Sequence, residues 1–312
     1  MTTPVGRSAP VIGIVGPTAT GKSDLGVALA LALGGEVVGA DASQLYRGMD
    51  IGTAKLPYAA RQGVVHHQLD VLDVREEASV AAYQRSARAD LDDIGSRGRV
   101  ALLVGGSGLY VRAALDRLEI PPTDPAVRAR LADELERVGV AVLRDRLVAA
   151  DPVAAEAIEP QNGRRIVRAL EVIELTGRPF SATLPTRDFL RPAIVIGLRS
   201  PRDVLDERID ARVRRMWADG LLEEVAALAA YGLREGRTAS RAVGYAQALG
   251  QLDGRLTQAE AQEETTRLTR RLVRRQESWF GADPRIQWLD AEAPDLLDRA
   301  LTVVQRDIPD NG

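Results

Sequence analysis

The chain contains no cysteine. Disulfide frameworks, thiolate zinc sites and cysteine nucleophiles are therefore excluded. Its only histidines are His66 and His67. One chain cannot build a multi-histidine metal site from them, and neighbours in an extended segment point to opposite faces, so at most one should face a given site. Aromatic residues make up only 4% of the chain, which rules out a surface built widely on base stacking. No apolar stretch approaches the roughly 18 residues of a membrane span. The segment Met1–Pro10 is short and polar and lacks a secretory apolar region, so a cytoplasmic protein is expected. The net charge of −3 means that any nucleic-acid partner must be met by a local basic patch. Lysine occurs only at Lys22 and Lys55, with arginine supplying all other positive charge. A GC-rich genome accounts for that bias. A lysine kept against it suggests a place where a compact ammonium is needed.

Local patterns alternate between strand and helix. Val11–Val15 is an apolar strand, and Leu25, Leu29, Ala32 and Leu33 follow at helical spacing. Glu36–Ala40 reads as a second strand closed by Asp41, Glu77–Ile94 as a helix, and Val100–Val104 as a third strand running into Gly105-Gly106-Ser107. This rhythm is that of a parallel sheet with crossover helices. It breaks at Pro121-Pro122-Thr123-Asp124-Pro125, after which Leu131, Leu135, Val138, Val142, Leu143 and Leu147, then Ile166, Leu170 and Ile173, recur helically. Ala193–Leu198 returns as a strand, mostly helical sequence follows, and Arg285–Leu289 offers a last strand. The expected architecture is α/β: a P-loop NTPase-like parallel-sheet core from residues 1–120 and 191–312, with a helical insertion at 121–190.

Gly16-Pro17-Thr18-Ala19-Thr20-Gly21-Lys22-Ser23 matches G-x-x-x-x-G-K-[ST] between a strand and a helix. Glycines let backbone amides wrap phosphate oxygens, and the helix N-terminus adds partial positive charge. Lys22 would neutralise phosphate charge, and the Ser23 hydroxyl would ligate Mg²⁺ bridging the phosphates. The loop marks a polyphosphate site without saying what carries the phosphates. A kinase that binds ATP is the default, but no apolar strand ends in the acid pair of a Walker B site. Asp41 is the carboxylate best placed near the loop, because ligands of such sheets gather at the strands' C-terminal edge.

Three segments together resemble the tRNA dimethylallyltransferases: the phosphate loop, Asp41-Ala42-Ser43-Gln44-Leu45-Tyr46-Arg47-Gly48-Met49-Asp50-Ile51-Gly52-Thr53-Ala54-Lys55, and Gly105-Gly106-Ser107-Gly108-Leu109-Tyr110. Further matches are Asn162 with Arg165, Arg168, Ala169, Leu170 and Glu171, then Val243-Gly244-Tyr245, and Arg274-Arg275-Gln276 before Trp279. The resemblance implies Mg²⁺-dependent transfer of a dimethylallyl group from its diphosphate to N6 of the adenosine 3′ of the anticodon, position 37 of tRNA. It implies Asp41 as the general base, Ser107 near the reacting amine in place of the usual threonine, and Arg128 in tRNA contact. The path of the RNA would be lined by Asp41, Ala42, Ser43 and Gln44, by Ser107, by Arg164, Arg165 and Arg168 on the insertion, and by Arg241, Gly244 and Tyr245. Lys22, Arg208 and Arg212 would hold the diphosphate. Ala42 stands where serine is common, and Val65 where proline is usual. The cysteine-bearing C-terminal extension of eukaryotic relatives is absent, which suits a bacterial form, and a monomer is expected.

Three arginine stripes are consistent with an RNA acceptor: Arg164 with Arg168, Arg208 with Arg212 and Arg215, and Arg267 with Arg271 and Arg274. Each could equally be a solvated helix face, and the 208–215 stripe could serve the diphosphate. Tyr46, Tyr110 and Tyr245 are either site residues or core tyrosines with satisfied hydroxyls. Trp279 and Phe280 are expected in the core. Gly105-Gly106 would admit a substrate closely. The competing readings are a prenyltransferase acting on free adenine nucleotides and a P-loop small-molecule kinase. A non-catalytic RNA-binding protein leaves the loop and Asp41 unexplained.

Overall fold

In a computed structural model, residues 10–183 and 187–307 are described. The chain forms two compact units: one is built from the residues up to Leu115 and from Phe189 onward, the other is Asp116–Asp188.

The first unit is a six-stranded, all-parallel sheet of order β3-β2-β4-β1-β5-β6. The strands are β1 (Val11–Val15), β2 (Gly35–Gly39), β3 (His66–His67), β4 (Val100–Gly105), β5 (Ala193–Arg199) and β6 (Ile286–Asp290). Strands β1 and β2 are buried along their whole length, as expected in a sheet covered on both faces, β1 as a continuous apolar run and β2 with a buried Glu36 paired to Arg97 and His67. Ile12, Ile14, Leu102, Val104, Ile194 and Ile196 face one way, against Leu25 and Leu29 of α1 (Lys22–Leu33) and Val303 and Val304 of α12 (Leu296–Asp307). On the other face, Gly13 lies beneath Leu115 of α3 (Gly108–Leu115), beside α2 (Val80–Ser96). Helix α2 starts later than its sequence pattern suggests, because the Ser79 hydroxyl accepts from the Ala82 N–H and caps it there. A two-residue β3 carries too little pattern to be read from sequence; its histidines diverge as alternation requires. His67 Nε2–H donates to Glu36 at 2.8 Å, while His66 Nδ1–H donates to the Val64 carbonyl at 2.9 Å.

The helices α8 (Arg202–Ala218), α9 (Leu221–Ala230), α10 (Tyr245–Leu252) and α11 (Gln258–Gly281) complete this unit around a second core of Ile209, Val213, Leu221, Val225, Ala248 and Val273. Tyr46 and Met49, from the long segment after β2, are buried in the same core.

The second unit is wholly helical among its described residues: α4 (Pro125–Val138), α5 (Val140–Ala150), α6 (Pro152–Ala157) and α7 (Gly163–Thr176), with a short 3₁₀ turn at its end. Asp124 caps α4 ahead of Pro125, and Asp151 caps α6 ahead of Pro152, each a Pro at the first helical position. Leu131, Leu143, Leu147, Ile158, Ile166 and Leu170 close its core. Glu171 is fully buried within it and accepts hydrogen bonds from the Asp124 N–H (2.9 Å), Arg128 (2.8 Å) and Arg168 (2.9 Å). Burial pushes its pKa up, but these donors outweigh it and hold the carboxyl below the usual range. A depressed folded pKa gives stability that is present above the unfolded pKa and lost as pH falls through the folded one. Glu171→Gln is therefore expected to destabilise the protein by roughly 1–3 kcal/mol at pH 7, and by less in acid, since it unpairs buried donors. Thermal unfolding of both proteins from pH 7 down to pH 4 checks this.

Candidate functional site

The strand order creates the site. Because β4 lies between β2 and β1, three loops leave the sheet side by side at its C-terminal edge: the phosphate loop after β1, Asp41 after β2, and Gly105–Ser107 at the end of β4. All three line one cavity of about 1580 Å³, with α8 and α11 forming another wall and the 50–58 segment its rim.

The phosphate loop is held by its own atoms and by two helices. Gly16 takes φ 134°, and a Cβ there would run into the Leu198 carbonyl of β5, so only glycine fits. The Thr20 hydroxyl donates to the Pro17 carbonyl at 2.8 Å, and Lys22 Nζ donates to the same oxygen. From α8, Arg212 donates to the Thr18 hydroxyl at 3.0 Å. Burial is the largest influence on Lys22; Asp41 raises its pKa and Arg212 lowers it, and the balance brings it down from 10.5 to about 7. Burial likewise lowers the pKa of Arg212, against the pull of Asp41. The cavity thus sets two partly desolvated cations, Lys22 and Arg212, beside the phosphate loop and the Asp41 carboxylate, an arrangement suited to a polyanion.

Asp41 sits in an Asx turn, its Oδ1 accepting the Ser43 N–H at 2.9 Å. Gln44 donates to the Thr53 carbonyl at 3.1 Å and closes the segment. Lys55 is the anchor: its Nζ is buried and reaches Asp50 and Asp70, both at 2.6 Å, and the Tyr46 carbonyl at 2.9 Å. Three donors on a compact ammonium meet three oxygens, which explains a lysine here where arginine is used elsewhere. Glu224 at the start of α9 accepts the Ile51 N–H at 2.9 Å and the Tyr245 hydroxyl at 2.5 Å. Ser107 lines the cavity with its N–H bonded to the Ala40 carbonyl at 3.2 Å.

The structure brings residues 18–23, Asp41, Ser43, Gln44, Ser107, Arg208, Arg212 and Arg241 to this one cavity. Arg208 is the weaker cation there, because it is paired with Glu292 at 2.7 Å. Arg215 also lines it, exposed and without a carboxylate partner among the described residues. Gly244 takes φ 92° at the start of α10. The tyrosine question resolves to the core: Tyr245 donates to Glu224, Tyr46 donates to Thr238 at 2.7 Å, and Tyr110 packs on Tyr83 with ring centres 4.5 Å apart. Trp279 departs from expectation, being 46% exposed, whereas Phe280 is buried. It lies on the outer side of α11, over Gly108, where a Cβ would strike its ring. Gly105 and Gly106 line the cavity, and each also has a packing reason to be glycine. A Cβ on Gly105 would meet the Ala40 backbone, and one on Gly106 the Gln276 side chain.

Within the helical unit, Arg164 and Arg165 are exposed and without carboxylate partners among the described residues. Arg128 and Arg168 are committed to Glu171, and Arg168 also to the Pro121 and Pro122 carbonyls. The α11 stripe is exposed at all three positions, Arg271 and Arg274 without carboxylate partners among the described residues and Arg267 within 3.6 Å of Glu264, whereas the neighbouring Arg270 pairs with Asp210 at 2.8 Å. Gln276 is the residue whose part the sequence did not suggest: it stood within the matching Arg274-Arg275-Gln276 segment without a role, as a polar side chain in the inward register of α11 beside Val273 and Phe280.

No group of three histidines, aspartates or glutamates among the described residues could cage a metal ion. The donors near the loop are the Ser23 hydroxyl and the Asp41 carboxylate, both lining the cavity. Such an oxygen-only set suits Mg²⁺, which keeps waters and takes its remaining ligands from phosphate.

Comparison with known proteins is consistent across sequence and structure. Residues 44–283 match the family model described as IPP transferase. A tRNA dimethylallyltransferase of Kineococcus radiotolerans is 60% identical over 305 residues, covering 96% of each chain, and one of Thermobifida fusca is 61% identical over 299 residues, 94% of each. The crystal structure of the full-length tRNA isopentenylpyrophosphate transferase of Bacillus halodurans superposes with a TM-score of 0.69 at 38% identity, covering 96% of this chain and 97% of that one. A eukaryotic dimethylallyltransferase acting on tRNA, 27% identical, reaches a TM-score of 0.78 over 96% of this chain and 77% of its own. No helix among the described residues is long and apolar enough to cross a membrane. With one family model over most of its length and relatives alike along nearly all of theirs, the chain belongs to the IPP transferase family.

Proposed function

We propose that this chain transfers a dimethylallyl group from dimethylallyl diphosphate to N6 of adenosine 37 in tRNA, releasing diphosphate. The observation that carries the reading is the cavity itself: a phosphate loop with two partly desolvated cations, Lys22 and Arg212, shares it with the Asp41 carboxylate and the Ser107 hydroxyl. That set serves a leaving diphosphate and a departing proton. In the reaction the prenyl C–O bond breaks, the N6–C bond forms, and the amine proton passes to Asp41. Loop amides from residues 19–23, Lys22 and Arg212 stabilise the charge that gathers on the diphosphate, with Arg208 at the rim. Ser107 is placed to orient the amine. Mg²⁺ held through Ser23 supplies further charge neutralisation when bound.

Arg164 and Arg165 of the helical unit, with Arg241 in the first unit, are the cations best free to meet RNA phosphates. Arg128 and Arg168 can join them only by sharing their guanidinium groups with Glu171. Ala42, Ser43, Gln44, Gly244 and Tyr245 shape the path rather than stack on bases, because Tyr245 is buried. A soluble cytoplasmic monomer completes the reading.

The test incubates the protein with Mg²⁺, labelled dimethylallyl diphosphate and unmodified tRNA, beside reactions with AMP and with ATP plus nucleosides. Label entering tRNA at an adenosine is expected. Label in AMP alone would move the acceptor to free nucleotides. Consumption of ATP without prenyl transfer would make the loop a kinase site.

A further inference from the structure

Gln276 is almost the only polar side chain that α11 turns inward toward the sheet, and it is buried. Both ends of its amide are used. Its Oε1 accepts the Thr18 N–H of the phosphate loop at 3.0 Å, across 258 positions of sequence. Its Nε2 donates to the Gly106 carbonyl at 3.0 Å. Gly106 follows β4 and precedes Ser107; Thr18 lies in the loop after β1 and receives Arg212 on its hydroxyl. One planar amide therefore joins the loop that would hold the diphosphate to the turn that would orient the amine. Few side chains can do this: the two partners are a donor and an acceptor, and only a carboxamide of this length offers one of each at its tip. The fit is tight, since a Cβ on Gly106 would run into Nε2. A further consequence concerns the loop amides. The Thr18 N–H is already engaged by Gln276, which leaves the amides after it for phosphate.

We propose that Gln276 is a positioning residue, fixing the phosphate loop against the Gly105–Ser107 turn so that the loop is shaped for diphosphate before substrate arrives. Its effect on binding is independent of the transferase reading; its effect on rate rests on that reading. Gln276→Met keeps the length and removes both hydrogen bonds. Gln276→Glu keeps the acceptor for Thr18 and sets a carboxylate against the Gly106 carbonyl. Both are expected to weaken binding of inorganic pyrophosphate with Mg²⁺, measured by calorimetry, on the order of tenfold, because each leaves a buried partner unpaired. Affinity for tRNA should stay within about twofold, since the exposed arginines are untouched. Gly106→Ala should mimic Gln276→Met by pushing the amide aside, and the double variant should bind pyrophosphate no worse than the weaker single variant, because both remove one linkage.

Wild-type pyrophosphate affinity in Gln276→Met would overturn the proposal. So would pyrophosphate and tRNA affinities that fall together by the same factor, or single effects that multiply in the double variant. A wild-type protein that binds pyrophosphate but transfers no prenyl group would count against the transferase reading alone, and the affinity differences would still decide the role of Gln276.

Discussion

Asp41→Asn should lower the rate of prenyl transfer to tRNA by about 10²–10⁴-fold, the usual contribution of a positioned general base. The substitution is chosen because it keeps the local fold. Asn retains an oxygen to accept the Ser43 N–H, so the Asx turn that aims the side chain survives. What it removes is the place for the proton. An exocyclic adenine amine is a weak nucleophile, and its proton must leave as the new bond forms. Asp41 is the carboxylate at the C-terminal end of β2, separated from the phosphate loop only by the intervening strand β4. Its negative charge also opposes a bound diphosphate, so affinity for prenyl diphosphate should hold or improve while the rate collapses. Single-turnover kinetics with pre-bound tRNA separate the two. A rate within tenfold of wild type would show that water or the leaving diphosphate takes the proton instead.

Lys22→Met should abolish measurable transfer and at the same time make the protein more stable at neutral pH. Lys22 Nζ lies among Pro17, Asp41 and Arg212, with burial the chief reason that its pKa is brought down to about 7. A folded pKa below the unfolded value of 10.5 means that the unfolded chain binds more protons between those two values. Stability therefore rises with pH across that window, and below pH 7 the fold bears the full cost of confining an ammonium. That cost is on the order of a few kcal/mol, discounted because Lys22 keeps some exposure to water. The methionine variant should melt higher than wild type at pH 6.5, and the difference should shrink toward pH 9. Substrate reverses the logic, because diphosphate favours the charged ammonium. Wild-type affinity for pyrophosphate should accordingly fall above pH 7, by up to tenfold per pH unit, whereas Lys22→Met should bind weakly with no such dependence. Equal melting temperatures at pH 6.5, or a flat wild-type affinity between pH 6 and 9, would contradict this account. Stability given up at a site that binds a polyanion is a familiar exchange.

The cavity and the helical unit differ in how plainly their cations can be read. In the cavity, Lys22 and Arg212 have neighbours that fix their state. On the helical unit, Arg164 and Arg168 look alike in sequence, one turn apart, yet Arg168 is tied to Glu171 and Arg164 has no carboxylate partner among the described residues. On α11 the adjacent Arg270 and Arg271 part in the same way, Arg270 paired with Asp210 and Arg271 exposed. Sequence spacing tells which residues share a helix face; it does not tell which carboxylate lies opposite.

The sequence by itself determined the features that depend on near neighbours. Strand β1, the glycine-rich turn and helix α1 follow one another within 23 positions, so the phosphate loop is legible as a pattern. The Asp41–Lys55 segment carries its own internal ties, Asp41 to Ser43 and Lys55 to Asp50, and is equally local. Continuous apolar runs marked the buried strands, and helical spacing marked α4, α5 and α7. Only the tertiary structure decided the matters settled by partners distant in sequence: that Tyr46, Tyr110 and Tyr245 are core, that Trp279 is exposed, that Gly105 and Gly106 are glycines because Ala40 and Gln276 crowd them, and that Gln276 holds Thr18. The physical reason is the same in each case. A buried polar group or a crowded backbone is explained by the atoms it meets, and here those atoms arrive from other strands and helices, in an order that the sheet topology sets.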